Sequence, residues 1–225
     1  MAGSGGLIGV EDLVKTYELG EVRVAALRGI SLSIEKGDFL VVTGRNGSGK
    51  STLLHQLGLL DLPTSGEIYF DGTEVTGLRE RQRSRMRLRD LGYVFQEFAL
   101  IGELTALENV LLPAMMLGSP RPGRTKARQL LEAVELKGKD DHLPSQLSGG
   151  EQQKVAIARS LINDPTVMFA DEPTANLDTV AAAEVLDVFK KLNEEEGRTI
   201  VMVTHEQEET EYGNRVIKLA DGELV

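Results

Sequence analysis

The sequence predicts an α/β fold with a mostly parallel sheet, an antiparallel β edge and an inserted helical lobe. Three observations carry that reading. Short β-branched and apolar runs alternate with helical patterns along the chain. One such run leads directly into GRNGSGKS at residues 44–51. The helical stretch over about 104–143 is longer than a parallel-sheet crossover needs.

Taken in order, Ile8–Leu13, Arg23–Leu27, Ile30–Ile34 and Phe39–Thr43 read as strands, with Lys36-Gly37 as a turn. Lys50–Leu60 reads as a helix stopped by Pro63-Thr64-Ser65-Gly66, and Ile68–Phe70 as a strand ending at Asp71-Gly72. Residues 79–89 hold six Arg. With no aromatic side chains for base stacking, that run reads as a solvated helix, not a nucleic-acid groove. Gly92–Phe95 is a brief strand, and the helical lobe that follows is interrupted at residues 118–123. Strands resume at Val167–Ala170 and Thr199–Thr204, separated by a helix with Val185, Val188, Phe189 and Leu192 on one face. The expected organisation is a flexible start over residues 1–6 and one domain over 7–225. Its core spans about 7–90 and 160–225, and its helical subdomain about 91–159.

Composition narrows the function classes. The 225 residues are 41% hydrophobic, with 25 Lys+Arg against 35 Asp+Glu and a formal net charge of -10. That balance disfavours non-specific binding to nucleic acid or anionic membranes. Zero Cys excludes disulfides, zinc thiolates and iron–sulfur clusters, and suits a reducing cytoplasm. The opening MAGSGG lacks the basic and apolar segments of a signal peptide. No run approaches 18 apolar residues, so any membrane role would need another chain. Residues 171–225 carry 14 acidic and 5 basic side chains, which reads as a solvated face or one that meets a basic partner.

The chemistry-bearing motifs follow the strands. Gly44, Gly47 and Gly49 let backbone N–H groups approach anionic oxygens, and the next helix begins at its positive end. Lys50 should reach the β- and γ-phosphates of a nucleotide, and Ser51 should place its hydroxyl on Mg²⁺. Thr52 reads equally as an α-phosphate contact or a structural residue. At the end of the run Val167–Ala170, Asp171 can hold Mg²⁺ through water, and Glu172 can accept a proton from attacking water. His205 ends another strand, where it can contact a γ-phosphate and position water. Gln96 ends a third, where its amide can bind metal or water. Residues 147–151, LSGGE, add a Ser-Gly-Gly helix start suited to a second phosphate. One chain rarely needs both for one nucleotide, so a dimer sharing two sites is the economical arrangement.

These motifs, in this order, resemble those of the ATP-binding-cassette (ABC) ATPases over nearly the whole chain, about Ile8 to Glu223. GRNGSGKS is similar to Walker A, whose P-loop NTPase core would contact nucleotide through Gly44, Asn46, Gly47, Ser48, Gly49, Lys50, Ser51 and Thr52. Gln96 matches the Q-loop, LSGGE the signature, VMFADE at 167–172 Walker B, ANLD at 175–178 the D-loop, and His205 the switch histidine. Tyr17 in VKTY matches the aromatic that stacks on adenine, though from residues alone it is equally a half-buried surface Tyr.

The resemblance implies a homodimer with two ATP between head-to-tail subunits. Ser148, Gly149 and Gly150 would touch the γ-phosphate of the opposite subunit, and Asp178 would communicate across the interface. A finer resemblance, to lipoprotein-releasing and macrolide-exporter ATPases, rests on LGLLDLPTSGEI (57–68) and GYVFQEFALIGELTALENVLLP (92–113). It implies a membrane permease with an extracytoplasmic domain, a location at the inner face of the cytoplasmic membrane, and no direct nucleic-acid partner. Phe98, Leu100 and Ile101 would meet the permease, or else pack the helical lobe onto the core. Arg45-Asn46, Lys154 and Glu206 depart from the usual pattern without removing a catalytic group. The alternatives are the ATPase of a cell-division or peptidoglycan-hydrolase-regulating complex, and a soluble cassette protein acting on nucleic acid or ribosomes.

Overall fold

The computed structural model describes residues 6–20, 22–118 and 120–225. The flexible start expected over residues 1–6 lies, apart from Gly6, outside them. In chain order the elements are β1 (Ile8–Leu19), β2 (Val22–Ile34), β3 (Phe39–Thr43), α1 (Lys50–Leu57), β4 (Ser65–Phe70), β5 (Thr73–Glu74), α2 (Glu80–Asp90) and β6 (Leu91–Val94). There follow α3 (Ala106–Met116), α4 (Pro120–Ala133), α5 (Gly149–Leu161), β7 (Val167–Asp171), α6 (Thr179–Glu194), β8 (Thr199–Thr204), β9 (Arg215–Ala220) and β10 (Glu223–Leu224). They form two compact units, one from the residues up to Arg85 together with Asn193–Val225, the other from Met86–Leu192.

In the first unit, β1 pairs antiparallel with β2 and β4, and β4 with β5. This is the expected β edge, but β2 is one strand where the sequence reads as two. Leu13 faces Ile30 and Val14 faces Arg28, so Gly29 is passed over as a bulge. Its φ of 85° is open to glycine at little cost, and the strand continues instead of breaking. The same unit contains a parallel set in which β3 lies between β8 and β9. Every residue of β3 and β8 is buried, as parallel strands covered on both faces require. The helix α1 stops at Leu57, earlier than its apolar pattern suggests. Gly58 caps it, and Leu59 turns into the left-handed region at φ 58°.

In the second unit β6 and β7 are parallel, with Leu91–Val94 facing Val167–Ala170. The helix α3 packs on α4 and α5, and α5 packs on β6. A capping box between Thr105 and Glu108 starts α3. The helix α4 begins at Pro120, because proline suits a first helical position, so the expected break at 118–123 is shorter than read. The Arg-rich segment is α2, largely exposed as expected except for the buried Arg83.

The apolar face read for α6 is buried at Val185, Val188, Phe189 and Leu192. Phe189→Ala removes a fully buried ring and should cost about 3–5 kcal/mol in urea unfolding. Val180→Ala, at a position 71% exposed on the same helix, should change stability by less than about 0.5 kcal/mol.

Candidate functional site

The first unit carries the Gly-rich loop. Thr43 and Thr204 are register partners on parallel β3 and β8, so Gly44 and His205 emerge side by side from the same strand ends. The loop leaves no room for side chains at two points. A Cβ on Gly44 would lie 2.2 Å from the Leu219 carbonyl oxygen, and one on Gly49 would lie 2.2 Å from that of Ala26. Gly49 is also the N-cap of α1, at φ 88°, and supplies no side-chain cap to its first turn. The cradle is thereby kept as bare backbone at a positive helix end. Lys50 is 6% exposed and folds back so that its ammonium donates to the Gly44 carbonyl at 3.3 Å. The Ser48 hydroxyl is buried without a partner, and the Gly222 N–H braces the loop by donating to the Ser48 carbonyl at 3.0 Å. These features fit a nucleotide's phosphates. A cavity of about 370 Å³ flanks the loop between Arg45–Ser48 and Lys218–Asp221.

His205 is exposed after β8, its Nε2 3.2 Å from a Glu206 carboxylate oxygen. Tyr17 is half-buried. Its hydroxyl donates to Asp61 at 3.0 Å and is hydrogen-bonded with Thr52, and burial pushes the phenol up from its ordinary value. The Lys15 ammonium lies 4.8 Å from the ring centroid and 2.8 Å from Asp61. The aromatic ring is thus anchored at its edge and covered on a face by a cation. Sequence reading missed both Lys15 and Asp61.

The second unit carries the carboxylates, the Gln and the signature. Val94 and Ala170 are register partners, so Phe95-Gln96 and Asp171-Glu172 leave the same end of parallel β6 and β7. Glu172 has φ 43°, a left-handed conformation that non-glycine residues rarely adopt. Phe98 and Ala99, after the exposed Gln96, are left-handed as well, at φ 59° and 51°. Tyr93 is stacked on Phe95 at 5.3 Å. Its phenol is pushed up chiefly by burial and secondly by the Asp171 carboxylate.

Ser148 is the N-cap of α5. Its hydroxyl accepts from the Glu151 N–H at 3.2 Å while Glu151 accepts from the Ser148 N–H at 2.9 Å. The helix therefore starts at Gly149, as a Ser-Gly-Gly helix start requires. Both glycines allow close approach, since a Cβ on Gly150 would lie 3.0 Å from that of Ala181, and one on Gly149 3.2 Å from Leu177. Asp178 caps α6, accepting from the Val180 and Ala181 N–H groups at 3.0 Å each.

Sequence reading also missed three residues that tie this unit's loops together. Arg159 on α5 donates to the carbonyls of Phe98 and Ala99, Asn176 donates to that of Gln96, and Gln153 donates to those of Phe95 and Pro173. A signal existed for Gln153. It shares the apolar face of Ala156, Ile157 and Leu161 at helical spacing, where a polar side chain needs a reason. Lys154, the departure noted above, is buried and bridges Glu135 at 3.0 Å and Glu184 at 2.9 Å, so one ammonium meets both carboxylates without a guanidinium fork.

A phosphate loop at the end of a buried parallel strand defines a nucleotide-binding protein of the P-loop class. Comparison with known proteins narrows the class. The family model described as ABC transporter matches residues 27–175. The "Lipoprotein-releasing system ATP-binding protein LolD" of Aquifex aeolicus is 47% identical over 96% of this chain and 93% of its own length. The "Macrolide export ATP-binding/permease protein MacB" of Syntrophobacter fumaroxidans is 50% identical over 96% of this chain, which spans 31% of that protein. Among solved structures, the ATP-binding cassette MJ0796 in a dimeric post-hydrolysis state bound to ADP and Pi superposes with a TM-score of 0.88. It is 42% identical, with 96% of each chain covered. The chain belongs to the ABC transporter family and is an ABC-type ATPase, with relatives of the lipoprotein-releasing and macrolide-export kinds. Among the described residues no helix is long and apolar enough to cross a membrane.

Two outcomes are expected here. Gly49→Ala should weaken binding of a fluorescent ATP analogue at least about tenfold, from left-handed strain and the closed space together. The Glu151 carboxyl is held below its ordinary value, first by the Ser148 N–H and then by Lys139 against an opposing burial effect. Its stabilisation is therefore complete above the unfolded value of about 4.3 and is lost as pH falls through the lower folded value. In urea melts, any advantage of the wild type over Glu151→Gln should shrink only below about pH 4.

Proposed function

We propose that the chain is the nucleotide-binding subunit of an ABC transporter of the lipoprotein-release or macrolide-export type. Two copies close head to tail on two ATP molecules, and closure and hydrolysis drive a membrane permease that bears an extracytoplasmic domain. The observation that carries the reading is the pair of phosphate-ready helix starts, α1 after the Gly-rich loop and α5 after Ser148. A single nucleotide in a single chain has no use for both, whereas a two-fold dimer uses each once per site. The dimeric state named for the MJ0796 cassette supports it.

In this reading the cradle of Gly44, Asn46, Gly47, Ser48 and Gly49 wraps the phosphates with backbone N–H groups. Lys50 leaves its carbonyl contact to neutralise the β- and γ-oxygens. Tyr17 stacks on the adenine ring, and Thr52 braces Tyr17 beside the α-phosphate. Glu172 accepts the proton of the attacking water, oriented with help from His205 and Gln96. Ser148, Gly149 and Gly150 receive the partner copy's γ-phosphate, and Asp178 lies on the path between the copies. Ser51, Asp171 and Gln96 would hold Mg²⁺, which supplies charge neutralisation at the transferred phosphoryl group. Among the described residues no group of three or more His, Cys, Asp or Glu is arranged to hold a metal ion by itself. The few oxygen donors named here fit a magnesium ion that takes its remaining places from phosphate and water.

Transmission to the permease falls to the helical subdomain, about residues 91–159, with Phe98, Leu100 and Ile101 as contacts. Ile101 is 40% exposed, which supports its part in this. The protein then sits at the inner face of the cytoplasmic membrane, held there by its permease.

Glu172→Gln should keep ATP binding, lower turnover about 10²–10⁴-fold, and accumulate an ATP-bound dimer in size-exclusion chromatography. Unchanged steady-state hydrolysis would remove Glu172 as the base. Ser148→Arg should spare nucleotide binding by the monomer and block the ATP-dependent dimer; a normal dimer would refute the shared-site assignment. Capture of Glu172→Gln with ATP from solubilised native membranes, read by mass spectrometry, tests the partner. A permease with a large extracytoplasmic domain is expected, and ribosomal or DNA-repair proteins without a permease would overturn the transport reading.

A further inference from the structure

We propose that Gln153 is a positioning residue for ATP hydrolysis, one that makes the Gln96 loop and the Glu172 turn follow the signature helix. The proposal rests on the ATPase reading above and assigns a role within its site.

Gln153 lies on α5 one helical turn beyond Gly150 and is 0% exposed. Its side-chain amide donates to the Phe95 carbonyl at 3.3 Å and to the Pro173 carbonyl at 2.7 Å. Phe95 immediately precedes Gln96, and Pro173 immediately follows Glu172. A single buried side chain therefore grips the backbone next to both groups that handle the attacking water. Turning the amide over would set its oxygen against two carbonyl oxygens, so the acceptors fix its orientation. The Gln153 oxygen is buried without a protein partner, and the Phe95 carbonyl also accepts from the Phe98 N–H at 3.2 Å.

The segments it holds are not at rest on their own. Glu172, Phe98 and Ala99 all occupy the left-handed region, a state that persists when the surroundings over-determine it. Arg159, two turns along the same helix, holds the Phe98 carbonyl at 2.9 Å and that of Ala99 as well. Asn176 closes the set by holding the Gln96 carbonyl at 3.0 Å. A rigid helix whose first turn receives a γ-phosphate is thus pinned, through Gln153, to the two loops that carry the water-handling groups. Displacing α5 without displacing Gln96 and Glu172 would break both bonds of a side chain that is fully buried.

The test compares wild type, Gln153→Met and Gln153→Glu. Gln153→Met keeps the length and burial of the side chain and deletes its donors. It is expected to bind an ATP analogue within about threefold of wild type and to lose at least about fivefold in kcat. A loss smaller than that overturns the proposal. So does an equal loss of nucleotide binding with a broadened thermal transition, since that marks a merely structural role.

Gln153→Glu provides the second reading, including the case where Gln153→Met does not fold. Its buried carboxyl can donate only when protonated, and burial raises the pH at which it does so. Its kcat relative to wild type should therefore rise as pH is lowered from about 8 to about 6. A flat ratio overturns the proposal. If wild type itself shows no turnover above Glu172→Gln, the ATPase reading fails and takes this role with it. Turnover in wild type with unchanged variants removes Gln153 alone.

Discussion

Parallel strand pairing in register places the functional groups of each unit. Parallel neighbours run the same way, so whatever follows their last residues is delivered to one edge of the sheet. In the first unit the Thr43–Thr204 partnership sets the Gly-rich loop beside His205, and in the second Val94–Ala170 sets Gln96 beside Asp171 and Glu172. Burial of nearly every residue in these strands makes the register costly to change. A slip by one residue would send Phe39, Val41, Phe169 or Met202 to the opposite face and misplace every loop at once. The apolar core and the polar edge are therefore a single constraint seen from two sides.

The α5 helix imposes the second level of order. Its capped start presents Gly149 and Gly150, its middle grips two carbonyls through Gln153, and its last turn grips two more through Arg159. Burial lowers the pKa of the Arg159 guanidinium, yet the group is held where it is by the loop oxygens it satisfies. The carbonyls of left-handed Phe98 and Ala99 are thus satisfied by a side chain of the helix.

Much of this was legible in the sequence because its signals are local. GRNGSGKS, the apolar run before Asp171-Glu172, and Ser148 with Glu151 three residues on each announce a loop, a strand end and a helix start. What escaped was non-local or depended on backbone state. Gly29 read as the end of a strand because a bulge and a break look alike until the partner strand is seen. Asp61 meets Tyr17 only through tertiary contact, across a separation of 44 residues, and the same Asp61 holds Lys15, two residues from Tyr17 on β1, by an ion pair. Gln153 stood in an apolar face, but nothing local names Phe95 and Pro173 as its acceptors.

The start of α5 sets a last electrostatic condition. A helix N-terminus favours an anion, but here Glu151 already supplies one, hydrogen-bonded to the Ser148 N–H. An arriving phosphate would meet that negative charge within one helical turn. The Lys139 ammonium, 3.2 Å from the same carboxylate, offsets the repulsion from outside the helix. The pair is partly exposed, so it moderates the field without the large cost of a buried ion pair. The capping box thus holds the helix start in shape, and Lys139 offsets the charge that does so. Shape and charge at one helix end are set by separate residues, so the rigid start would still accept the phosphate proposed for it.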